Sequence, residues 1–399
     1  MKVLLVGPDR AIAQVNGDDV VTRLLRATPP AGVAYETLAE ALAAGHARRA
    51  RWASAWLASL VMHSRPPAGV AYGWGLAPPL PYRLLGKLLP DRPDEDVQWF
   101  DLPDPRRFDL IHAWSHPVGV GPRRGRPPVV LHTGTGNTDL LLNYYGLPPD
   151  TVAALQARDR RLLGALGVLH DLYNARDAAA VVVPSRYAWR HHVEGGVPER
   201  LLRLVRIGFA APPAAEVGRL RVPGEVRFAL VGHHFARKGG RALALAFSRL
   251  RQAHPEARLT IVSAVPAEQL GVPLDGITLI QALPREAVYA EVYPAADVYL
   301  LPSLAEGYGM SVVEAMGFGL PVIASNISAL PELVADGETG LLVPPDDADA
   351  LHDAMRQLLL DPGLRARMGA AGRARFLAEH EVGVTNAALR RVYDEAVGG

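Results

Sequence analysis

The chain has 399 residues, of which 49% are hydrophobic and 21% charged, so it is long enough to bury more than one core. Its formal net charge of +1 supplies no general attraction to nucleic acid, and a nucleic-acid partner is not expected. The absence of cysteine excludes disulfides, zinc–thiolate sites and a cysteine nucleophile, and it fits a reducing, cytoplasmic compartment.

Short apolar runs alternate with helical periodicity along the chain, which predicts an α/β fold whose parallel strands are covered by helices on both faces. The strands predicted in the first half are KVLLVGP, which is too short for a signal peptide, FDLIHAW, PPVVLHTG and AAAVVVPS. Those in the second half are VRFALVG, ARLTIVSA, GITLIQA, DVYLLPS and LPVIAS. The clearest predicted helices are RALALAFSRLRQAH, REAVYAEVYPAA and SVVEAMGF.

The alternation lapses at residues 208–224, where GFAAPPAAEVGRLRVPG carries prolines and glycines without a sustained period. We interpret this stretch as a linker between an amino-terminal domain, residues 1–207, and a carboxyl-terminal domain, residues 225–379. Both domains are predicted to be Rossmann-like. Ligands of such domains bind beyond the carboxyl ends of the strands, so the expected site is a cleft between the two halves.

A basic loop, VGHHFARKGG, follows the strand VRFALVG and carries Arg237 and Lys238. A helix is predicted to begin near Gly240, so both cations lie where charge and helix-terminal amides can hold a diphosphate. A solvated basic turn is the alternative. Only Lys2, Lys87 and Lys238 are lysines among the 42 basic residues, and this rarity favours a chemical role for Lys238.

Two glutamates, Glu306 and Glu314, flank a glycine loop in LPSLAEGYGMSVVEAM, residues 301–316. Backbone amides from Gly307 to Ser311 can form an anion nest at the start of the following helix. Carboxylates beside a diphosphate are repelled by it unless they accept hydrogen bonds from neutral hydroxyls, such as those of ribose or a hexose. The pattern therefore suits a sugar nucleotide. Ser311 and Glu314 also fit an S-x-x-E capping box, in which Glu314 would serve only the helix start.

The longest motif of the chain covers residues 302–347, PSLAEGYGMSVVEAMGFGLPVIASNISALPELVADGETGLLVPPDD. It contains two glutamates separated by seven residues, a G-x-P-V-I segment and a tail of the form P-E-h-V-x-D-G-x-x-G-h-L-V-P-x-D. This motif strongly resembles the donor-binding region of retaining glycosyltransferases of family four, which have the GT-B fold. The similarity extends back through VGHHFARKGG, and more loosely over the first half through FDLIHAWSH and VVVPSRYAWRHHV.

The resemblance implies a role for each of these residues. Glu306 would contact the donor hexose, Glu314 the ribose and Lys238 the diphosphate, while the turn near Leu283 would meet the base. The last helix, residues 380–399, would cross back onto the first domain. The backbone expected to meet the phosphates and the sugar is that of Gly307, Tyr308, Gly309, Met310 and Ser311.

Two positions depart from the family pattern. His233 stands where an arginine is common, so Arg237 is the candidate for the second cation. The glycine pair that relatives have after the first strand is represented here by Asn16, Gly17 and Asp18, of which Gly17 is the acceptor-side candidate.

The strand and loop VVLHTGTGNTD, residues 129–139, resemble in position the family's segment that bears an active-site histidine near the donor sugar. His132 is the candidate, and a histidine that merely packs at a strand end is the alternative.

The activity implied by the resemblance is retaining transfer of a hexose-type sugar from a nucleotide-diphosphate sugar to a hydroxyl of a glycan, lipid or small molecule. No residue stands out as a covalent nucleophile, so same-face attack is expected, with the departing phosphate helping to take the acceptor's proton. Neither a cofactor nor a metal is expected. Two alternatives are another GT-B enzyme, such as a sugar-nucleotide 2-epimerase or a phosphorylase, and an inactive sugar-nucleotide-binding protein.

Residues 41–66 combine basic and large apolar side chains at helical spacing. Such a helix could lie on an anionic bilayer at the inner face of the membrane, although a core-facing helix with a basic solvent face is the commoner arrangement. His112 and His116 have the spacing of two metal ligands on a helix, but DLIHAWSH reads as a strand end, so no metal site is predicted.

Overall fold

The computed structural model describes residues 1–7, 18–49, 98–114, 118–120, 125–133, 148–150, 153–154, 157, 169 and 175–398. These residues form two compact units, Met1–Ile207 with Thr385–Gly399, and Gly208–Val384. The acceptor-side candidate Gly17 and the metal-ligand candidate His116 lie outside the described residues.

The first unit contains two sheets. Its strands are β1 (Lys2–Val6), β2 (Ala34–Thr37), β3 (Arg48–Arg49), β4 (Gln98–Asp101), β5 (Leu110–Trp114), β6 (Val118–Val120), β7 (Val129–His132), β8 (Ala180–Val183) and β9 (Leu202–Leu204). Six of them form a parallel sheet in the order β2-β1-β5-β7-β8-β9, and β3, β4 and β6 form a small separate sheet. Its described helices are α1 (Asp18–Ala27), α2 (Leu38–Ala43), α3 (Arg186–Glu194) and the short 3-10 turns Pro105–Arg107 and Glu199–Leu201.

The middle of this sheet is buried because its strands are apolar on both faces, as expected of a parallel sheet with two covering layers. Every residue of β5, β7 and β8 is buried. Two histidines interrupt the apolar pattern, His112 in β5 and His132 at the end of β7, and both are buried as well. Because buried polar groups are nearly always hydrogen-bonded, both histidines are expected to have hydrogen-bond partners in this core.

The second unit also contains a six-stranded sheet, made of β10 (Val226–Val231), β11 (Ala257–Val262), β12 (Ile277–Ile280), β13 (Val298–Leu301), β14 (Val322–Ser325) and β15 (Gly340–Val343). All neighbours are parallel, in the order β12-β11-β10-β13-β14-β15. Its helices are α4 (Gly240–Ala253), α5 (Arg285–Ala287), α6 (Met310–Gly317), α7 (Leu330–Leu333), α8 (Ala348–Leu360), α9 (Pro362–Glu379) and the start of α10 (Val382–Gly398). Short 3-10 turns occur at Ala214–Glu216 and Ala267–Leu270.

The strand order creates a crevice at one place in this second sheet. From β10 the chain moves outward to β11 and β12, and it then returns to the other side of β10 to form β13. The loops that follow β10 and β13 therefore lead away in opposite directions, which opens a crevice at the carboxyl ends of these two neighbouring strands. The basic loop follows β10 and the glutamate loop follows β13, so the topology brings the two predicted motifs together.

All nine predicted strands are present, but the edge strands β2, β9 and β15 and the small sheet were not predicted. The predicted helix REAVYAEVYPAA is a composite, because α5 continues as a π-helix over Val288–Val292 and a 3-10 turn over Tyr293–Ala295. Residues 208–224, interpreted as a linker, pack on the second unit: Arg221 Nε donates to the Ala296 carbonyl at 2.9 Å.

The prediction of a single helix over residues 41–66 is wrong for the residues that the structure describes. Helix α2 ends at Ala43, Gly45 adopts a left-handed φ of 73°, and Arg48–Arg49 form β3. A glycine in that conformation ends a helix readily, which explains the break. Residues 50–66 lie outside the described part of the chain, and contact with a bilayer stays a prediction. Among the helices that the structure describes, none is long and apolar enough to cross a membrane.

Gly239 lets the basic loop approach the end of β13. It has a φ of 71° and forms the N-cap of α4, and a Cβ atom at this position would lie 1.8 Å from the carbonyl oxygen of Pro302. Both features require glycine, because other residues strain in the left-handed region and the obstructing atom belongs to the backbone.

Replacing Gly239 with alanine is expected to lower the urea midpoint of the second unit strongly. The left-handed conformation alone costs about 1 to 2 kcal/mol, and the clash with Pro302 adds to it. Gly271→Ala is the matched control, since Gly271 also has a φ of 71° but no atom lies within 4 Å of the added Cβ. Equal losses in the two variants would show that the close approach to Pro302 is unimportant.

Candidate functional site

The loops after β10 and β13 are joined by one backbone hydrogen bond and by one from a side chain to the backbone. The Leu304 amide donates to the Arg237 carbonyl at 2.8 Å, and Arg237 Nη1 donates to the Ala305 carbonyl at 2.8 Å. These bonds fix the basic loop against the glutamate loop at the crevice, so the side chains of both loops share one environment.

A buried ion pair lies where the two loops meet. Lys238 Nζ donates to Glu306 Oε2, and both residues are about nine-tenths buried, with 8% of each exposed. Arg237 Nη1 lies 3.6 Å from the same oxygen, and Ser303 Oγ donates to it at 3.3 Å. Three of the sequence-predicted residues, Arg237, Lys238 and Glu306, are thus in direct contact.

The charges of this group do not cancel. Burial by itself raises the pKa of Glu306, but the charges of Lys238 and Arg237 outweigh it and hold that pKa below its usual range. Burial lowers the pKa of Lys238, and the charge of Arg237 lowers it further against the opposing effect of Glu306. Among these three described side chains two cations face one carboxylate, so the group itself carries an excess positive charge.

The neighbouring His234 has a lowered pKa, partly because of its burial and partly because of the same positive charges. Burial lowers its pKa, and the positive charges of Arg237, His233 and Lys238 lower it further. A positive potential at the carboxyl ends of β10 and β13 is the condition that an anionic ligand would require.

The start of α6 adds backbone donors at the same end of the sheet. Its N-cap is Gly309, with a φ of 98°, and among the described residues no side chain caps the helix. The partial positive charge of a helix start and its free amides make this end a binding position for an anion. Within the predicted nest, Gly307 and Met310 are half-buried and Tyr308 is buried, with its Oη 3.3 Å from His380 Nδ1.

Glu314 does not form the capping box that its spacing with Ser311 allowed. Because α6 begins at Met310 with Gly309 as its N-cap, Ser311 is already inside the helix and Glu314 follows one turn later. Ser311 is instead hydrogen-bonded to Tyr299, a contact that lowers the pKa of Tyr299, although burial raises that pKa overall. The capping-box alternative is therefore wrong.

Glu314 belongs to a second group of polar side chains. Arg285 Nη2 lies 2.6 Å from Glu314 Oε1, and Tyr293 Oη donates to Glu314 Oε2 at 2.8 Å. The same Arg285 nitrogen donates to Tyr289 Oη at 2.9 Å, and its guanidinium lies over the ring of Phe209 at 5.2 Å. Tyr289 is also hydrogen-bonded to Glu314, so this carboxylate is held by three side chains.

Leu283, the candidate for contact with the base, lies two residues before α5 and is half-buried. It follows β12, the edge strand, which is separated from β10 by β11. The topology therefore places Leu283 at the same end of the sheet as Lys238 but further toward the edge.

The first unit contains a separate polar group around His132. His132 Nδ1 lies 3.2 Å from His112 Nε2, and the other nitrogen of His112 is hydrogen-bonded to Tyr393 Oη. Tyr393 Oη in turn lies 2.8 Å from Tyr35 Oη. The ring of Trp114 packs edge-on against His132 with a centroid distance of 4.5 Å. His132 is thus part of a hydrogen-bonded chain and is not simply packed at a strand end.

Several of these partners were missed in the sequence. Arg285, Tyr289 and Tyr293 are four residues apart in turn, and that spacing alone indicates side chains on one helical face. Tyr393 is 281 residues from His112, and no local pattern connects the two.

The chain has two α/β units, each with a parallel sheet, and the second unit has a cationic crevice at the carboxyl ends of β10 and β13. This arrangement defines a two-domain α/β protein of the GT-B class. A solved structure supports this fold: HepE from Anabaena, in complex with UDP and glucose, matches with a TM-score of 0.62 and 16% identity over 98% of both chains. Residues 219–375 match the family described as glycosyl transferases group 1, so the family resemblance is confirmed for that segment.

Two curated relatives match over shorter stretches. The D-inositol 3-phosphate glycosyltransferase of Kribbella flavida is 40% identical over 119 residues, which are 30% of this chain and 26% of the relative. The phosphatidyl-myo-inositol mannosyltransferase of Mycobacterium leprae is 34% identical over 189 residues, which are 46% of this chain and 50% of the relative. The matched part therefore spans between a quarter and a half of these relatives.

The Lys238–Glu306 pair is expected to stabilise the fold as a coupled unit. Lys238→Met and Glu306→Gln should each cost about 3 kcal/mol or more, because the first removes the closest partner of the buried Glu306 carboxylate and the second leaves two cations without their carboxylate. The double variant should cost much less than their sum. Urea denaturation of all four proteins measures the coupling. The exposed pair of Arg249 and Asp349 is the control, with an expected coupling below about 1 kcal/mol. Additive losses in the Lys238 and Glu306 variants would contradict the coupled role of this pair.

The buried histidines predict a dependence of stability on pH. Burial lowers the pKa of His112 from its usual 6.5 to about 3, so folding favours the neutral ring. The resulting stabilisation is complete above about pH 6.5 and is lost as the pH falls toward 3. Glu306, whose pKa is also lowered, contributes a loss only below about pH 4.3, and therefore not between about pH 6.5 and pH 5.

We expect the free energy of unfolding to fall by roughly 1 to 2 kcal/mol between pH 6.5 and pH 5 because of His112 alone. In His112→Phe this slope should become shallower, while His352→Gln, at a more exposed histidine of α8, should leave it unchanged. Urea denaturation at several pH values tests this. An unchanged slope in His112→Phe would mean that the ring is not held neutral by burial.

Proposed function

We propose that this chain is a retaining glycosyltransferase that moves a hexose-type sugar from a nucleotide-diphosphate sugar to an acceptor hydroxyl. The observation that carries the proposal is the excess positive charge of Lys238 and Arg237 over Glu306, placed beside the uncapped start of α6. Cations and free helix-start amides together suit a diphosphate.

The carboxylates in the same crevice favour a sugar nucleotide over a simple phosphate. The contacts from Lys238, Arg237 and Ser303 all reach Glu306 Oε2, and Oε1 can therefore accept a hydrogen bond from a sugar hydroxyl. Glu314 already has three partners, Arg285, Tyr293 and Tyr289, so its carboxylate can accept about one further hydrogen bond, from a ribose hydroxyl.

The names of the relatives support the same activity. One is a glycosyltransferase and another is a mannosyltransferase. The structurally similar HepE was solved with UDP and glucose. The proposed acceptor is the hydroxyl of a glycan, a lipid or a small molecule.

In the proposed reaction the bond between the sugar and the diphosphate breaks, which leaves negative charge on the diphosphate and an oxocarbenium-like sugar. Lys238, Arg237 and the amides at the start of α6 stabilise the departing charge, and preorganised donors of this kind contribute roughly 3 to 4 kcal/mol each. Lys238 donates to a phosphate oxygen while Glu306 orients the hexose.

Retention follows from attack on the same face of the sugar as the departing diphosphate, whose oxygen accepts the proton of the acceptor hydroxyl. The two cations supply the positive charge that this leaving group needs, so we propose that no metal takes part. Turnover that is unaffected by EDTA would support this part of the proposal, and loss of turnover restored by a divalent metal would overturn it.

Binding is tested by thermal shift with UDP-, GDP- and ADP-sugars. One of them should raise the melting temperature, because a ligand that binds the folded state stabilises it. With that donor and an acceptor, Lys238→Ala and Glu306→Ala should each lower kcat by about 10²- to 10³-fold.

The control is Arg249→Ala, which removes an exposed cation of α4 and should leave turnover unchanged. Full turnover in both Lys238→Ala and Glu306→Ala would contradict the proposed function. Product analysis separates the other activities: an isomerised nucleotide sugar without an acceptor product would indicate an epimerase, and tight binding without turnover would indicate an inactive binding protein.

A further inference from the structure

A continuous chain of hydrogen-bonding groups runs through the core of the first unit. Tyr35 Oη lies 2.8 Å from Tyr393 Oη, Tyr393 is bonded to His112 Nδ1, and His112 Nε2 lies 3.2 Å from His132 Nδ1. The two imidazole rings are nearly parallel, with an interplanar angle of 27° and centroids 5.2 Å apart. The chain ends at His132 Nε2, a buried nitrogen with no hydrogen-bond partner among the residues that the structure describes.

The links of this chain determine one another. A neutral imidazole has one protonated and one unprotonated nitrogen, so a ring that accepts at one nitrogen must donate at the other. If Tyr393 donates to His112 Nδ1, His112 donates from Nε2 to His132 Nδ1, and the proton of His132 must be on Nε2. If His112 Nδ1 donates to Tyr393, every direction reverses and His132 Nε2 becomes an acceptor.

Burial keeps all four groups in their neutral forms. It lowers the pKa of His112 to about 3 and that of His132 well below its usual value, while it raises the pKa of both Tyr35 and Tyr393. Each hydroxyl therefore keeps its proton, and each imidazole keeps one unprotonated nitrogen.

The direction of the chain follows from the relative basicity of its members. An unprotonated imidazole nitrogen is a much stronger base than a phenol oxygen, so the bond between Tyr393 and His112 is better made with the phenol as donor. Tyr393 Oη can then accept from Tyr35. This direction places the proton of His132 on Nε2.

We propose that Tyr393 and His112 are positioning residues that hold His132 in the tautomer with a proton on Nε2, so that His132 presents a hydrogen-bond donor to an oxygen of the substrate. The part of this inference that concerns the substrate rests on the proposed function. An unpartnered buried donor is costly in a folded protein, and an incoming oxygen atom would satisfy it.

The role of Tyr393 gives the last helix a function beyond packing. Tyr393 lies in α10, within the segment Thr385–Gly399 that belongs to the first unit, and it is fully buried there. Its hydroxyl is the only chemical difference from phenylalanine. Tyr393→Phe should therefore change the packing of the core little, while it should change the tautomer of His132.

Nuclear magnetic resonance of the full-length protein labelled with ¹⁵N at histidine reads the tautomer directly, and a His132→Gln variant assigns the signal. We expect a protonated, pyrrole-type signal for His132 Nε2 in the native chain. Tyr393→Phe should move that signal toward the unprotonated, pyridine-type position, because His112 loses the donor that fixes its own tautomer.

Tyr35→Phe is the matched control. It removes the hydroxyl at the far end of the chain but leaves the bond from Tyr393 to His112, so the His132 signal should stay pyrrole-type. An unprotonated Nε2 in the native chain would overturn the proposal, and so would a pyrrole-type signal that persists in Tyr393→Phe.

The activity measurement separates this inference from the proposed function. Tyr393→Phe should lower kcat about tenfold, the effect of roughly one hydrogen bond, whereas Tyr35→Phe should leave it near the native value. Equal kcat in Tyr393→Phe and the native chain, despite a changed tautomer, would overturn the donor role of His132. A native chain that lacks transferase activity but shows the expected signals would overturn only the proposed function.

Discussion

The buried contact between Lys238 and Glu306 is the constraint on which the rest of the second unit depends. Charges that are nearly nine-tenths buried can be kept ionised only if each has an opposite charge or hydrogen bonds at close range. The neighbouring parallel strands β10 and β13 place one partner on each of two loops that leave the sheet in opposite directions. Arg237 then makes the balance positive, and Gly239 permits the close approach that the contact needs. Topology, glycine and charge thus produce a single anion-attracting crevice.

The first unit buries its polar groups in their neutral forms, whereas the second unit buries an ion pair. Within the described part of the chain, His112 and His132 form hydrogen bonds to each other and to Tyr393 rather than to a carboxylate, and both stay neutral. A neutral chain of this kind has a direction, because each proton shared at one link fixes the next. The second unit therefore offers positive charge, and the first offers an oriented dipole.

Much of the fold followed from the sequence because the central strands are continuous apolar runs that end in glycine or polar loops. Strands β2 and β9 were missed because these edge strands are short and contain polar residues; AYET in β2, for example, is not fully buried anywhere. Strand β15, GLLV, is apolar and was missed although its composition favours a strand. The Lys238, Arg237 and Glu306 group was predictable from motifs at two strand ends. The partner of Glu314 was not, since the S-x-x-E spacing suggested a cap while Arg285 and Tyr293 hold the carboxylate. The contact between Tyr393 and His112 forms only in the folded chain, and no short-range sequence pattern predicts it.

The most direct test of the account is a crystal structure of this protein with a nucleoside diphosphate bound. The account predicts that a terminal phosphate oxygen lies within hydrogen-bonding distance of Lys238 Nζ and of the amides at the start of α6, while Glu306 remains beside Lys238. Phosphates bound elsewhere, with Lys238 still bonded to Glu306 alone and the start of α6 empty, would contradict it.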